Sequence, residues 1–469
     1  MTLAYEALPI ATSPAQISMR PGIFSVVEQT QEPLHLILIG TKPDIIKQAP
    51  LIHELKKQQK QVLVVHSGQH YDWNLSGGLE QEFGIVPDFN LNVRGSLYEQ
   101  QSQIIARIGL LLEKFKKMKK TVIPYTYGDT TTAVAGGIAS YLNEYSTAHV
   151  EAGLRTMTPE KRTFLSLLKP FDVGQYFDEL KTQTLWHKGS YEPFPEQFDT
   201  RASAPSAGVH FAPTVLNEKH LLDEGYAPTR IFSVGNPVAD AIQDTKKRMH
   251  ESTIFNQYPK LEEGNFIRFC IHRRENISSK HRFSVLIKTM LSLIEKGENI
   301  LFISLNSTEK ALQEFGFAEK VRLLASKHPN FMYSPVWPFY KDVIAAMTKC
   351  SVIATDSGSI QEETNILGIP GVVLRFNSDR PEAIFAGANI LAPPITSEIV
   401  EKIIHAVQHD DALRKSMMCT KNVYGENVSK NMVGIVDKIT QNESLFELFE
   451  HERLGFHKLD FWEEGNINW

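Results

Sequence analysis

The chain has 469 residues, which is too long for one compact core and suits two domains of ordinary size with additional segments. Its net charge of −5 arises from 49 basic and 54 acidic residues, so the strongly basic character of a general nucleic-acid or anionic-membrane binder is excluded. Three scattered cysteines cannot form a disulfide framework, and we therefore expect a reducing, cytoplasmic environment.

The sequence shows no pattern typical of a membrane anchor, a secretion signal or a metal site. No apolar run approaches the roughly 18 residues that a membrane-spanning helix needs. The first residues lack a basic region followed by an apolar stretch, and no His or Cys cluster has metal-ligand spacing. We expect a protein that does not insert in a membrane and requires neither a metal ion nor a cofactor.

Residues 1–33 show no clear periodicity and are predicted to be an extension rather than part of a core. From Leu34 onward, continuous apolar runs alternate with stretches of helical spacing, and Pro50 predicts a kink in the first helix. Strands are predicted at 34–40, 61–67, 121–128 and 147–152, and helices at 44–59, 73–83, 98–118 and from about 130. This alternation is typical of a parallel sheet covered by helices.

A second series of the same kind begins near residue 265. Its predicted strands are 266–272, 299–306, 351–358 and 370–375, with helical segments between them. The sequence thus predicts an α/β protein with two doubly wound, Rossmann-like domains that face a central cleft. The expected divisions are an extension (1–33), an N-terminal domain (34–245), a C-terminal domain (246–440) and an aromatic-rich tail (441–469).

Open sheets of this kind bind ligands beyond the carboxyl ends of their strands. Polar, ionisable or small residues follow nearly every predicted strand, namely Gly40-Thr41-Lys42, Gln69-His70, Gly128-Asp129, Glu151, His272-Arg273-Arg274-Glu275, Ser357-Gly358 and Arg375. Any one of them is also compatible with a surface or helix-capping position; Asp129, for example, could cap the helix that follows it. As a set, however, they are rich in groups that carry acid–base chemistry.

The Ser357-Gly358-Ser359 turn precedes a helical run, so its free amides and the helix dipole suit an anion. Cations and free amides for a diphosphate, together with several carboxylates, indicate an enzyme that acts on a nucleotide sugar. Neither the dinucleotide-binding motif G-x-G-x-x-G nor the P-loop motif G-x-x-x-x-G-K-[ST] occurs.

Ten short stretches, in order along the chain, resemble the UDP-N-acetylglucosamine 2-epimerase family, whose members have the two-domain fold of B-type glycosyltransferases. They are GTKPDIIKQAP (40–50), GQH (68–70), GDTTTA (128–133), HVEAGLRT (149–156), PFPEQFD (193–199), HFAPT (210–214), GNPVADA (235–241), HRREN (272–276), TDSGSIQEE (355–363) and DRPEA (379–383). The resemblance implies conversion of UDP-GlcNAc to UDP-ManNAc for surface polysaccharide synthesis. It proceeds through anti elimination of UDP and its re-addition, with UDP in the C-terminal domain.

The resemblance also implies roles for individual residues. The positions that match the family's catalytic groups are Asp129, Glu151, Glu196 and His272. The expected substrate-binding residues are Lys42, Lys47, Gln69, His70, Arg273, Ser357, Gly358, Ser359, Glu363 and Arg380, with Ser357–Ser359 at the diphosphate and Glu363 at the ribose. The motifs do not say which carboxylate removes the C2 proton. A homodimer is expected from the resemblance alone.

Several departures from the family pattern bear on function. Lys42 replaces the usual arginine, which loses the bidentate fork, and Ser359 replaces a glycine of the diphosphate turn. An insertion at 157–192 leaves Glu151 and Glu196 45 residues apart. Its leucines and aromatics predict a folded lid, an acceptor-sugar pocket or a subunit contact rather than a plain surface loop. The tail is likewise expected to pack on the body or on a partner chain.

A further departure concerns the second substrate molecule that many bacterial members bind as an activator. Gln69 and His70 remain from that site, but Leu97 and Ser304 stand where an arginine and a histidine are expected. We therefore expect the activator site to be absent or altered. Hydrolysing relatives also lack it, so release of free ManNAc and UDP is the main alternative to epimerisation.

The sequence is also compatible with two functions of a different class. A glycosyltransferase on the same fold would not need carboxylates at both Asp129 and Glu151, beside the sugar ring. A catalytically inactive nucleotide-sugar-binding protein would not need to retain all four catalytic positions. The leading prediction is the epimerase.

Overall fold

The computed structural model describes residues 17–69 and 73–442. The strands are β1 (Ser18–Met19), β2 (Leu34–Ile39), β3 (Gln61–His66), β4 (Phe89–Asn90), β5 (Val122–Tyr127), β6 (Thr147–Val150), β7 (Met157–Pro159), β8 (Trp186–Lys188), β9 (Ala207–Ala212), β10 (Ile231–Ser233), β11 (Phe266–Cys270), β12 (Ile300–Ser304), β13 (Phe331–Pro335), β14 (Cys350–Thr355), β15 (Gly371–Val373) and β16 (Asn389–Leu391).

The helices alternate with these strands in both halves of the chain. They are α1 (Ile23–Gln29), α2 (Lys42–Lys57), α3 (Gly78–Phe83), α4 (Leu97–Lys117), α5 (Thr131–Leu142), α6 (Lys161–Ser166), α7 (Val173–Leu180), α8 (Glu196–Ser203), α9 (Val215–Asp223), α10 (Val238–Arg248), α11 (Ile254–Gln257), α12 (Lys260–Glu263), α13 (Arg274–Ile277), α14 (Lys280–Glu295), α15 (Asn306–Glu314), α16 (Ala318–Lys327), α17 (Tyr340–Met347), α18 (Gly358–Leu367), α19 (Pro381–Phe385), α20 (Ser397–His409), α21 (Asp411–Met418) and α22 (Val428–Asn442). None of these described helices has the length and apolar character needed to cross a membrane.

Two large sheets form the two halves of the molecule. The first has the strand order β1-β4-β3-β2-β5-β6-β9-β10, and the second has the order β13-β12-β11-β14-β15-β16. All neighbours in these two sheets are parallel except β1 and β4, which are antiparallel. The predicted α/β class with two doubly wound domains is therefore confirmed.

Burial explains why the central strands could be recognised in the sequence. Every residue of β2 and β5 is buried, because helices cover both faces of the sheet, and such strands appear as continuous apolar runs. The long helices carry clear start signals as well: Thr41 with Asp44, and Ser96 with Glu99, form capping boxes at the beginnings of α2 and α4.

Residues 1–33 were predicted to be an extension outside a core, and the described part of this segment contradicts that prediction. Ile23 and Val27 of α1 are buried in the apolar core of the N-terminal half, and β1 pairs with β4 at the sheet edge. A seven-residue helix and a two-residue strand are too short to show a recognisable period. Only residues 17–33 of this segment, and residues 441 and 442 of the predicted tail, lie within the described part of the chain.

The insertion is folded, and its packing was not among the predicted roles. Its hairpin, β7 and β8, and its helices bury Tyr176, Phe177 and Trp186 in the core of the C-terminal domain. The Trp186 ring packs edge-on against Phe385, with 5.2 Å between ring centroids, and the Met157 backbone pairs with Ser378. A segment that leaves the N-terminal domain thus packs on the opposite domain.

A second connection joins the two halves behind the cleft. Helix α22 packs on the N-terminal domain, where Met432, Val433 and Val436 are buried beside residues of α2. Lys60 pairs with Asp437 of this helix at 2.8 Å. The insertion and α22 therefore form two separate packing contacts between the domains.

Candidate active site

A cleft of about 470 Å³ lies between the two domains, at the carboxyl ends of the parallel strands. Ionisable and small polar residues from both sides line it, including Lys42, Lys47, Gln69, Asp129, Glu196, Asp199, Arg268, His272, Arg273, Ser357, Ser359, Glu363 and Arg380. Eleven of the fourteen predicted site residues are among this lining. Glu151 and Gly358 lie directly behind it, and His70 lies outside the described residues.

Glu151 is the centre of a buried charge cluster. The residue directly follows β6, is 0% exposed and has a left-handed φ of +63°, a conformation that costs a residue other than glycine about 1 kcal/mol. Lys47 Nζ lies 3.0 and 3.2 Å from its two carboxylate oxygens, and Arg380 Nη2 lies 2.6 Å from Oε1. Glu151 therefore has both cations as direct partners.

Glu362 completes this cluster and was not among the predicted site residues. Its carboxylate accepts from Lys47 Nζ at 2.5 Å and from Arg380 Nε at 2.7 Å. The Asn236 amide donates a further hydrogen bond at 3.0 Å. Two carboxylates and two cations are thus arranged so that each cation contacts both acids.

The two carboxylates of the cluster titrate in opposite directions. Burial alone would raise the pKa of Glu151, but Lys47 and Arg380 outweigh it and hold that pKa below its ordinary value. Burial and then repulsion from Glu151 raise the pKa of Glu362. Interaction with both acids keeps the pKa of Lys47 above its ordinary value in spite of burial. A proton held by the carboxylate pair therefore resides on Glu362.

A second carboxylate group lines the cleft. Asp129, at the end of β5, has its nearest cationic partner, Arg380 Nη2, at 3.7 Å. Glu196 and Asp199 lie one turn apart at the start of α8, and Glu196 pairs with Arg273. The Thr131 hydroxyl donates to Asp199 at 3.3 Å. These three acids share one region of the cleft lining.

Asp199 was not among the predicted site residues, and its surroundings change its proton affinity. Burial, followed by repulsion from Asp129, raises the pKa of Asp199 to about 7, against a lowering contribution from Thr131. A carboxyl group with such a pKa can both give and take a proton near neutral pH. The sequence did contain a signal, because the spacing of PFPEQFD places Glu196 and Asp199 on one face of a helix.

His272 is held at the end of β11 by Asp356, another residue that was not predicted. The backbone amides of His272 and Arg273 donate to the Asp356 carboxylate at 3.0 Å, and His272 Nδ1 lies 3.3 Å from Oδ1. This contact favours a proton on Nδ1 and leaves Nε2 as an acceptor. Burial lowers the pKa of His272, and Asp356 offsets this only in part.

The predicted diphosphate turn forms the beginning of α18. Ser357 is the residue before the helix, and its side chain makes no capping hydrogen bond. A Cβ atom on Gly358 would lie 2.6 Å from Asp379 Oδ2, so only glycine fits there. Ser359 lies within the helix rather than in a positive-φ turn, and a serine in place of glycine therefore causes no backbone strain. Arg273 also reaches this turn and contacts Asp379 at 3.4 Å.

The other end of the cleft combines apolar walls with a few polar groups. Glu363 accepts from the Tyr340 hydroxyl at 2.8 Å, and burial raises the pKa of this carboxyl group. Lys42 Nζ donates to the Trp337 carbonyl at 3.2 Å, and burial lowers the pKa of this amine to about 8. Gln69 accepts from the Thr132 hydroxyl at 3.0 Å. Within residues 17–69 and 73–442, no three His, Cys, Asp or Glu side chains are grouped as metal ligands.

Comparison with known proteins gives the family of the chain. The family model described as UDP-N-acetylglucosamine 2-epimerase matches residues 53–163 and 188–438, and the gap between these ranges falls within the insertion. The UDP-N-acetylglucosamine 2-epimerase of Bacillus subtilis is 30% identical over 406 residues, covering 85% of this chain and 93% of that protein. That of Neisseria meningitidis is 30% identical over 415 residues, covering 85% and 97%.

A solved structure agrees with these relatives. The Methanocaldococcus jannaschii UDP-GlcNAc 2-epimerase in complex with UDP-GlcNAc and UDP has a TM-score of 0.70 and 27% identity. The match covers 87% of this chain and all of that one. The chain belongs to the UDP-N-acetylglucosamine 2-epimerase family.

Proposed function

We propose that this enzyme converts UDP-GlcNAc into UDP-ManNAc by eliminating UDP across C1 and C2 and adding it back after C2 has been reprotonated on its other face. The observation that carries the proposal is that one cleft combines an acid group, Asp129, Glu196 and Asp199, with an anion-binding side. That side consists of the beginning of α18 together with Arg273 and Arg380.

The substrate is proposed to lie along the cleft with its diphosphate at the beginning of α18. The free amides and positive dipole end of this ten-residue helix favour a phosphate, and Arg273 and Arg380 add positive charge. Glu363 accepts from ribose hydroxyls, as it accepts from Tyr340 in the structure. The sugar ring then lies beside the three acids.

The elimination requires a base at C2 and charge stabilisation at the diphosphate. The C2–H bond breaks, its proton passes to a carboxylate of the acid group, and a C1=C2 double bond forms. The C1–O bond breaks with its electron pair on UDP, whose charge Arg273 and Arg380 stabilise. In the addition step C2 receives a proton from the opposite face, the C1=C2 double bond is consumed, and a phosphate oxygen of UDP forms the new bond to C1. Two acid–base groups are therefore needed, and Asp199, with a pKa of about 7, is suited to being one of them.

Glu151 has a different part in this proposal from the acid–base role that the resemblance implied. Its carboxylate is fully buried and is bonded to two cations that themselves line the cleft. We assign it as a positioning residue that keeps Lys47 and Arg380 charged and correctly placed. His272, neutral and oriented by Asp356, remains in the catalytic set beside the diphosphate.

The curated relatives described above are named as epimerases, which favours this reaction over hydrolysis, glycosyl transfer or an inactive binding role. A cytoplasmic location, a homodimer, a role in polysaccharide precursor synthesis and an altered activator site also belong to the proposal. They rest on the sequence arguments alone.

Product analysis tests the reaction directly. The purified protein is incubated with UDP-GlcNAc, and the products are separated and identified by NMR. We expect an equilibrium mixture of UDP-GlcNAc and UDP-ManNAc. Free ManNAc and UDP as the main products, or no conversion at all, would contradict the proposal.

A further inference from the structure

Arg268 is a buried cation in the cleft wall that the proposed reaction does not use. The residue lies in the middle of β11 and is 6% exposed. Its Nε and Nη1 atoms are buried and have no hydrogen-bond partner in the described part of the chain. Removing a guanidinium from water without a partner is costly, so such a group is expected to have a ligand as its partner.

Three other cations of the cleft are paired with acids. Lys47 and Arg380 are paired with Glu151 and Glu362, and Arg273 is paired with Glu196. Arg268 makes no ion pair within 4 Å among residues 17–69 and 73–442. Its charge does act on Glu363, where it opposes the rise in pKa that burial causes. Arg268 differs from these three cations in being buried without an acid as its direct partner.

Arg268 lines the cleft at the end that holds Glu363 and Lys42, and its charge acts on both groups. It shares a face of β11 with Cys270 and His272, because side chains alternate along a strand. It lies four positions before His272, which corresponds to roughly 13 Å along the strand at about 3.3 Å per residue. In the sheet it is in register with Leu301 of β12 and Ile353 of β14.

The surroundings of this end suit a flat, partly apolar ring. Ile303, Val336, Trp337 and Val343 line the cleft there, and Glu363 is positioned to accept from a ribose. With the diphosphate at the beginning of α18, a ligand that extends towards Glu363 brings its base to these apolar walls. The guanidinium of Arg268 lines the same end, and its buried Nε and Nη1 atoms have no hydrogen-bond partner in the described part of the chain.

We propose that Arg268 is a specificity-determining residue that donates a hydrogen bond to the C4 carbonyl oxygen of the nucleobase. This rests on the proposed function only in requiring a nucleotide-sugar ligand. A guanidinium has donors and no acceptor, so it is complementary to the C4 carbonyl of uracil. The C4 amino group of cytosine would leave the buried donors unpaired, at a cost of about tenfold or more in affinity.

The test compares nucleotide binding by calorimetry in three forms of the full chain: the wild type, Arg268→Met and Arg322→Met. The wild type is expected to bind UDP at least tenfold more tightly than CDP. In Arg268→Met, the UDP affinity falls by about tenfold or more and the two affinities become similar. Arg322, an exposed residue of α16, is the matched control, and both affinities stay within twofold.

Thermal unfolding and kinetics accompany the binding measurements. Arg268→Met is expected to unfold at a temperature no lower than the wild type, since it removes an unpaired buried charge. Its KM for UDP-GlcNAc rises by a larger factor than its kcat falls. An unchanged preference for UDP over CDP, or an equal loss of both affinities, would overturn the proposal.

The outcome for Arg268 is separable from that for the reaction. Nucleotide binding needs no turnover, so a lost base preference in Arg268→Met supports the inference even if UDP-GlcNAc is not epimerised. If the wild type binds neither UDP nor CDP, both proposals fail together.

Discussion

The two carboxylate groups of the cleft differ in how their charges are paired. Glu151 and Glu362 are 0% exposed, and each is bonded to both Lys47 and Arg380. Asp129 and Asp199 line the cleft, and the nearest cation of Asp129 lies 3.7 Å away. Burial, followed by repulsion from Asp129, raises the pKa of Asp199. Acids that are paired with two cations hold those cations in place at the cleft. Acids without a close cation are available to exchange protons.

The largest expected effect on activity comes from the acid group that lines the cleft. Asp129→Asn removes a cleft carboxylate without breaking a close pair, because the nearest cation is 3.7 Å away. We expect kcat for UDP-GlcNAc epimerisation to fall by about 10²–10⁴-fold, the range typical of lost general acid–base catalysis. Thermal unfolding should stay close to that of the wild type. Turnover within tenfold of the wild type would remove Asp129 from the proton transfer.

The buried cluster is expected to respond in stability as well as activity. Glu151→Gln leaves Lys47 and Arg380 to share Glu362 in a buried site, and removing one partner of a buried ion pair costs about 3–5 kcal/mol. Urea denaturation measures the free energy of unfolding. The KM for UDP-GlcNAc should also rise, since both cations line the cleft. A variant as stable as the wild type would show that the cluster does not hold the fold together.

Asp199 gives a pH-dependent contrast between the groups. Its pKa rises from 3.8 in the unfolded chain to about 7 in the folded protein. Between these two pH values the folded state binds more protons than the unfolded state, so the free energy of unfolding falls as the pH rises from about 4 to about 7. Asp199→Asn removes that loss. We expect the variant to unfold at a higher temperature than the wild type at pH 8, and the difference to shrink towards pH 4.

The pH–rate profile checks the same assignment. The wild type should show a change in kcat near pH 7 that Asp199→Asn lacks. A stability difference that is the same at pH 8 and pH 4 would contradict the raised pKa.

The smallest effect is expected for an ion pair outside the cleft. Lys60 and Asp437 lie 2.8 Å apart but are about a quarter exposed, so solvent screens them. Lys60→Met should change the free energy of unfolding by less than about 1 kcal/mol, with no change in kcat. This variant is the control for Glu151→Gln under the same urea denaturation. A loss as large as that of Glu151→Gln would mean that burial is not what distinguishes the two pairs.

The sequence predicted the two sheets, the cleft and most of its lining, because these depend on local patterns. Strands buried on both faces appear as apolar runs, and the cleft residues follow them directly. Glu362 and Glu363 are an example of side chains whose contacts the sequence could not predict. They are adjacent on α18, and which of them contacts Lys47 and which contacts Tyr340 depends on how the helix is rotated against the opposite domain.

Long-range packing accounts for the other differences. Glu151 is buried because Lys47 and Arg380, 104 and 229 residues away, converge on it. The insertion is folded as predicted, but its docking on the C-terminal domain depends on contacts such as Trp186 with Phe385. Arg268 is the one charged residue in the otherwise apolar strand β11, and this position in the sequence was sufficient to single it out.

The central claim is that the acid group lining the cleft moves the C2 proton, and deuterium incorporation at C2 tests it most directly. UDP-GlcNAc is incubated in deuterated water with the wild type and with Asp129→Asn, and the C2 proton is followed by NMR. The account predicts UDP-ManNAc carrying deuterium at C2 with the wild type, and incorporation slowed by at least about 100-fold in the variant. Wild-type exchange in Asp129→Asn, or product that keeps its original C2 proton, would contradict it.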